Sequence, residues 1–112
     1  MKVDKELLKG STHMLVLSLL ENQNMYGYQM IKSLNQMSKN IFNFQEGTLY
    51  PILHTLESKN YIISYWDETT GKKRKYYSIT KSGKKHLQNK KEEWNSFCSG
   101  INMILGRTSY EY

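Results

Sequence analysis

Between Glu46 and Glu57 the chain reads EGTLYPILHTLE, and Leu49, Ile52, Leu53 and Leu56 fall at i, i+3, i+4 and i+7, the spacing of one helix face. The chain's single proline, Pro51, sits inside that run. Proline has no N–H for the carbonyl four residues back, and its ring crowds that carbonyl, so a helix survives here only if the defect lies away from the packed face. It does: Pro51 and Gly47, whose carbonyl loses its partner, both fall opposite the apolar ridge. Gly47 also carries no side chain to resist adjustment. The segment is expected to be a helix reaching about Lys59, docked through its ridge, with a slightly bent or loosened first turn and a slim outer face.

The rest of the chain divides around that helix without repeats or low-complexity linkers. Residues Lys5 to about Glu21 are good helix formers apart from Gly10, with Leu8, Leu15 and Leu19 on one stripe. The segment ENQN breaks this helix, and Asn24 is placed to cap a second one, Met25 to about Met37, whose Met30, Leu34 and Met37 share a face. After the recognisable helix of EGTLYPILHTLE, the runs YIISYW and RKYYSI are rich in β-branched and aromatic residues and flank DETTGKK, which predicts a β-hairpin. Thr80 can then cap a last helix running to Gly106.

Length and charge narrow the partners. At 112 residues there is room for one compact core and little for a second. The formal net charge is +6, which favours a polyanion such as nucleic acid. The excess grows along the chain: six basic residues against five acids in residues 1–59, four against two in 60–80, and six against three in 81–112. The single cysteine, Cys98, excludes an internal disulfide and has no Cys/His cluster around it to hold zinc. The longest apolar run, MLVLSLL, is too short to span a bilayer. A soluble, cytoplasmic protein is the expectation. A basic polar helix face for a membrane surface is interrupted by Glu92 and Glu93, so no membrane partner is expected.

Three helices and a hairpin in one basic domain form the winged helix-turn-helix pattern, in which the third helix enters the DNA major groove. The expected fold class is mainly α with a small β-hairpin wing (α+β), completed by a long C-terminal helix. The segments YGY (Tyr26 to Tyr28), EGTLYPILHTLE and GKKRKYYSITKSG (Gly71 to Gly83), in that order and at these separations, resemble the PadR family of bacterial transcriptional regulators. The resemblance covers residues 5 to about 106. It implies a winged helix-turn-helix over residues 1–80, a dimerisation helix over 81–106 and a tail over 107–112, in the small subfamily with a single C-terminal helix. It also implies repression of transcription.

The residues supply their own candidates. The outer side of the Glu46 to Lys59 helix carries Gly47, Pro51, His54 and Ser58, with Thr48, Tyr50 and Thr55 beside them, where a merely solvated helix would carry more Lys and Glu. Hydroxyl and imidazole groups there can meet base edges or phosphates of double-stranded DNA. The alternative is that Tyr50 is half-buried packing and His54 an ordinary surface residue. In the wing, Lys72, Lys73, Arg74 and Lys75 are either a solvated run or phosphate contacts flanking the recognition helix. Alternation sends Arg74 to one face and Lys73 and Lys75 to the other, which limits the wing to two or three contacts. Tyr76 and Tyr77 likewise point to opposite faces.

Counting in sevens along the last helix puts Leu87, Trp94 and Ile101 at one repeat position, and Lys90, Phe97 and Ile104 at its companion. The stripe covers about 27 Å at 1.5 Å per residue, long for the flank of so small a domain. A symmetric homodimer through Leu87, Trp94, Phe97, Ile101 and Ile104 is expected, with the first helix contributing, and it would read a palindromic operator. Trp94 is either plain dimer core or, with Phe97 and Met14 or Leu15, the wall of a pocket for a planar aromatic effector. The second reading gains from the resemblance, since some small PadR-like regulators bind planar hydrophobic compounds at the dimer interface.

His13, His86 and His54 fall on three different helices without carboxylates at ligand spacing, so neither a metal, a cofactor nor acid–base catalysis is motivated, and an enzyme is not expected. Cys98 reads as a small packed residue. Two functional classes remain. One is a ligand-responsive dimeric repressor. The other is a winged-helix module without effector, acting as a constitutive DNA-binding or protein-interaction protein.

Overall fold

The computed structural model describes residues 3–107. Eight elements follow one another: α1 (Lys5–Lys9), α2 (Thr12–Asn22), β1 (Met25–Tyr26), α3 (Gly27–Met37), α4 (Glu46–Ser58), β2 (Ile62–Asp67), β3 (Arg74–Ile79) and α5 (Lys81–Ile104). The fold is mostly helical with a three-stranded antiparallel sheet in the order β1-β3-β2. Val16, Leu17 and Leu20 of α2, Met30 and Leu34 of α3, Leu49, Leu53 and Leu56 of α4, Ile62 and Tyr77 of the sheet, and Leu87 of α5 form one core. Phe44, 2 % exposed, plugs it from the loop before α4. Among the described residues no helix is long and apolar enough to cross a membrane.

Two boundaries differ from the sequence expectation. The single helix expected from Lys5 to Glu21 is two, because the Ser11 N–H and hydroxyl both donate to the Leu8 carbonyl (2.9 Å each) and Thr12 Oγ1 donates to the Lys9 carbonyl at 3.3 Å. Hydroxyls that bond backward compete with the helical ladder. Gly10 keeps φ −74° and ψ −11°, so the break is a shallow step and not a reversal. The second helix starts at Gly27, not Met25: Met25 and Tyr26 pair with Tyr77 and Tyr76 as a third strand. Asn24 therefore caps nothing, and its amide donates to the Tyr65 hydroxyl at 2.9 Å.

The joint between sheet and α5 is built with side chains. Thr80 Oγ1 accepts from the Gly83 N–H at 3.0 Å, as an N-cap should, and donates to the Asn60 carbonyl at 2.6 Å. Ser82 Oγ donates to the same carbonyl at 3.0 Å, and the Thr80 N–H donates to the Tyr61 carbonyl at 3.0 Å. Gly83 is obligatory for this approach, since a Cβ there would fall on the Tyr61 carbonyl oxygen. From this joint α5 runs 24 residues, ending at Ile104 where Gly106 turns to φ 81°. Only Gly83 and Leu87 of α5 are buried; beyond its second turn the helix runs beside the domain without entering its core, with Lys91 still 3.5 Å from Glu21 of α2. The radius of gyration is accordingly 15.6 Å, against about 13 Å for a compact chain of this length.

Candidate nucleic-acid interface

The recognition-type helix α4 is continuous from Glu46 to Ser58 with Pro51 inside it. Its first turn is not loosened at the start: the Thr48 and Leu49 N–H groups both donate to the Gln45 carbonyl, at 3.0 and 2.9 Å. The proline is tolerated for the reason read from the wheel. Leu49, Ile52, Leu53 and Leu56 are buried, while Gly47, Thr48, Tyr50, Pro51, His54 and Ser58 are exposed and Thr55 is half-buried. A Cβ at Gly47 would meet nothing within 4 Å. Two of the candidate hydroxyls are already engaged: Thr55 Oγ1 donates to the Pro51 carbonyl (3.1 Å) and Ser58 Oγ to the Thr55 carbonyl (2.8 Å). They retain acceptor capacity only, so their donors are spent on the helix's own backbone.

Tyr50 combines both sequence readings. It is 44 % exposed, yet its phenol lies against the first residue of α3, where a Cβ on Gly27 would fall on the Tyr50 hydroxyl. The glycine of YGY is thus the seat of an α4 tyrosine. Tyr77 is held above the usual tyrosine range by burial first and then by Glu57 and Tyr50, so its hydroxyl is un-ionised at neutral pH. Glu57 also accepts from Ser64 Oγ of β2 at 2.5 Å, which fixes the far end of α4 to the sheet.

Sequence reasoning missed the residue that sets the entry to α4. Asn35 of α3 accepts the Phe44 N–H on Oδ1 at 2.8 Å and donates from Nδ2 to the Phe44 carbonyl at 3.1 Å. One side chain replaces a backbone pair and holds the loop that leads into α4. The only local signal is an amide at a half-buried position on the α3 face that meets α4.

In the wing, Lys72 and Lys73 lie in the exposed turn and Arg74 and Lys75 open β3. Alternation holds: Trp66 pairs with Lys75, and Tyr77 lies two residues further along β3 on the same face, while Asp67, Tyr65 and Tyr76 share the face of Arg74. Tyr77 is buried and Tyr76 half-buried. Trp66 is 61 % exposed, with the Lys73 ammonium 5.4 Å from its ring centroid.

Along α5 the heptad stripe separates into two parts. Leu87, counted with the interface, is completely buried in the protomer's own core and has no surface to offer a second chain. The others are exposed: Trp94 39 %, Phe97 54 %, Ile101 39 % and Ile104 88 %. The cause is geometric, since Leu87 enters the core whereas Trp94 and Phe97 stand beside α2 and α1 across open grooves. Trp94 and Phe97 stand 5.7 Å apart and, with Met14, His13, Gly10 and Leu7, line a groove of about 650 Å³. Leu15 is not in that groove; it borders a smaller one of about 280 Å³ shared with Met14 and Trp94. Burial, then Lys59, His86 and Lys90, keep His13 below the usual histidine range. Among the described residues no group of His, Cys, Asp and Glu could hold a metal ion.

The geometry has close counterparts. The model of the transcriptional regulator PadR-like family matches residues 16–89. A transcriptional regulator from Clostridium thermocellum superposes with a TM-score of 0.83 at 35 % identity, covering 88 % of this chain and 97 % of that one. A PadR family transcription regulator from Clostridium difficile superposes at 0.76 with 39 % identity, covering 86 % and 99 %. In sequence, an uncharacterized protein X of Lysinibacillus sphaericus is 34 % identical over 104 residues, 92 % of this chain and 95 % of that protein. With α4, the wing and α5 arranged as described, the chain belongs to the PadR-like family of DNA-binding transcriptional regulators, which are not enzymes.

Proposed function

We propose that the chain is a cytoplasmic, homodimeric repressor that holds a palindromic operator and releases it when a planar aromatic effector binds between the protomers. Residues 1–80 bind DNA in this reading, and 81–106 dimerise. The recognition helix offers Gly47, Thr48, Tyr50, Pro51, His54, Thr55 and Ser58 to the major groove, and Lys72, Lys73, Arg74 and Lys75 flank it on the phosphates. Two such helices about 34–36 Å apart address successive turns of a duplex.

The observation that carries the reading is the exposed apolar half of α5. A monomer gains nothing by presenting Trp94, Phe97, Ile101 and Ile104 to water over several turns of one helix. A second copy related by a two-fold axis covers them, and a groove of about 650 Å³ beside Trp94 is within the range of small-molecule sites. Release is supported by α1. Its Glu6 and Lys9 line that groove and also a cleft of about 260 Å³ that ends on Asn43, Thr48 and Ile52 at the start of α4. An occupant that displaces this short helix, none of whose residues is buried, acts on the recognition helix directly.

The test is a footprint on the chain's own upstream DNA, with and without planar aromatic compounds, alongside tryptophan fluorescence. A protected palindrome is expected, with quenching that persists in Trp66→Ala and disappears in Trp94→Ala. Equal affinity for any duplex at fixed salt refutes the operator. Absence of quenching across a broad panel refutes the effector.

A further inference from the structure

The basic side chains of the wing do not extend freely. The Arg74 guanidinium carbon lies 4.5 Å over the centroid of Tyr26. Tyr26 meets Tyr76 edge to face at 5.5 Å and 71°, Tyr76 stacks on Tyr65 at 5.9 Å and 17°, and the Tyr65 hydroxyl accepts from the Asn24 amide at 2.9 Å. The register makes this row. Tyr26 of β1 and Tyr65 of β2 both face Tyr76 of β3, so three rings stand side by side across the sheet, and Arg74 stands two residues along β3 on the same face. The row continues through every strand and ends in a cation.

Its charge is left unspent. Cross-strand pairing sets Asp67 opposite Arg74, the natural partner for a guanidinium. The Asp67 carboxylate instead accepts from the Thr69 N–H at 2.7 Å, and that bond, with the Thr69 hydroxyl, holds it below the usual carboxylate range. Among the described residues no carboxylate lies within ion-pair distance of Arg74, whose other contact is a long one to Thr70 Oγ1 at 3.5 Å. A planar cation fixed on one face by a ring, with its donors not taken up by an acid, is set up for an anion that arrives from outside.

We propose that Tyr26 is a positioning residue for DNA binding: its ring, backed by Tyr76 and Tyr65, holds the Arg74 guanidinium in a preset orientation for a phosphate of the duplex. The proposal rests on the reading that the wing lies along the DNA backbone. The contribution of Tyr26 is preorganisation, which lowers the ordering cost of the contact without adding a charge. A ring–guanidinium contact at an exposed site corresponds to about two- to fivefold in affinity per wing.

The experiment measures binding of the full chain to a labelled duplex from its own upstream region across a salt series. Arg74→Ala is expected to weaken binding and to lower the salt slope by about 0.9 per wing, one phosphate contact. Tyr26→Leu should weaken binding by about two- to fivefold at every salt concentration with the slope unchanged, and Tyr26→Phe, which keeps the ring, should match the parent. The double variant Tyr26→Leu with Arg74→Ala should bind as Arg74→Ala alone does, because a positioning residue has nothing left to position. Arg74→Lys by itself gives a second arm independent of how Tyr26→Leu folds, since charge and slope stay while affinity falls and parent-like affinity overturns the proposal; Tyr26→Leu placed on top of it adds no loss. A full additional loss from Tyr26→Leu in either Arg74 background overturns the proposal and leaves the wing reading standing. Parent-like affinity and slope in Arg74→Ala overturns the wing reading and the proposal with it.

Discussion

Replacing glycine by alanine should act in opposite directions at two helical positions of this chain, and the structure fixes which is which. At Gly83 the new Cβ would fall on the Tyr61 carbonyl oxygen and within 2.9 Å of Ile79 Cγ1, so backbone must move. Overpacking of this kind costs about 1–3 kcal/mol. The shift also strains the Thr80 N–H to Tyr61 bond at 3.0 Å, about 1 kcal/mol more, while alanine's helix preference returns about 1 kcal/mol. Gly83→Ala should therefore destabilise by about 1–3 kcal/mol. At Gly47 a Cβ meets nothing within 4 Å, and the same substitution should stabilise by up to about 1 kcal/mol. For a chain of this size about 4 °C of Tm corresponds to 1 kcal/mol. Thermal and urea unfolding at one fixed protein concentration should then show Gly83→Ala lower by about 4–12 °C and Gly47→Ala level or higher. A Gly83→Ala chain at or above the parent Tm would refute the close approach of α5 to Tyr61.

Two further outcomes follow from burial. His13 and His86 are both held below the usual histidine range, first by burial and then by Lys59 and Lys90, with Glu93 opposing the shift at His86 only. Since their folded pKa values lie below the unfolded one, their contribution is complete above about pH 6.5 and declines as pH falls through 6.5 toward the lower folded values. Urea midpoints at pH 7.5 and 5.5 should differ accordingly, and the difference should shrink in His13→Gln; an unchanged difference in that variant would exclude its part. Leu87→Ala should destabilise by about 2–5 kcal/mol at every protein concentration, whereas Ile104→Ala should lower Tm only in a concentration-dependent way. Unfolding combined with sedimentation separates the two, and equal behaviour would contradict the proposed pairing of the later turns of α5 with a second copy.

Much of the architecture was legible because periodicity reports which face a residue presents. The ridge of α4, the alternation of β3 and the Thr80 cap all appear in the structure where spacing and residue type put them. What failed were features set by partners distant in sequence. Met25 and Tyr26 carry no strand pattern of their own over two residues; they become a strand because β3 presents an open edge. The heptad count could not see that Leu87 is buried in the protomer's core while Trp94 lies beside α2 across an open groove. The same holds for the interface. The outer composition of α4 marked its exposed face, but nothing local indicates that Tyr50 leans on Gly27 or that Asn35 clamps Phe44.

The departure with the most bearing on regulation is the smallest one. A helix continuing from Lys5 through Glu21 would carry Glu6 and Lys9 on the same rigid cylinder as the buried Val16 and Leu20, and nothing placed beside Trp94 could move them without disturbing the core. The step at Gly10 and Ser11 separates the two: α2 holds its buried residues, and α1 has none. What attaches α1 is the half-buried Leu8, the hydroxyl bonds of Ser11 and Thr12, and the Val3 N–H on the Ile41 carbonyl at 3.1 Å. Such an element opens at a small fraction of the cost of global unfolding. A ligand shifts an equilibrium only through a part whose alternative states it binds unequally, and that part must be cheap to move and must touch both ends of the coupling. Of the elements lining the groove beside Trp94, α1 and the first turn of α2 both also border the start of α4, and of the two only α1 has no buried residue, so its weak attachment is the property that coupling between groove and α4 requires.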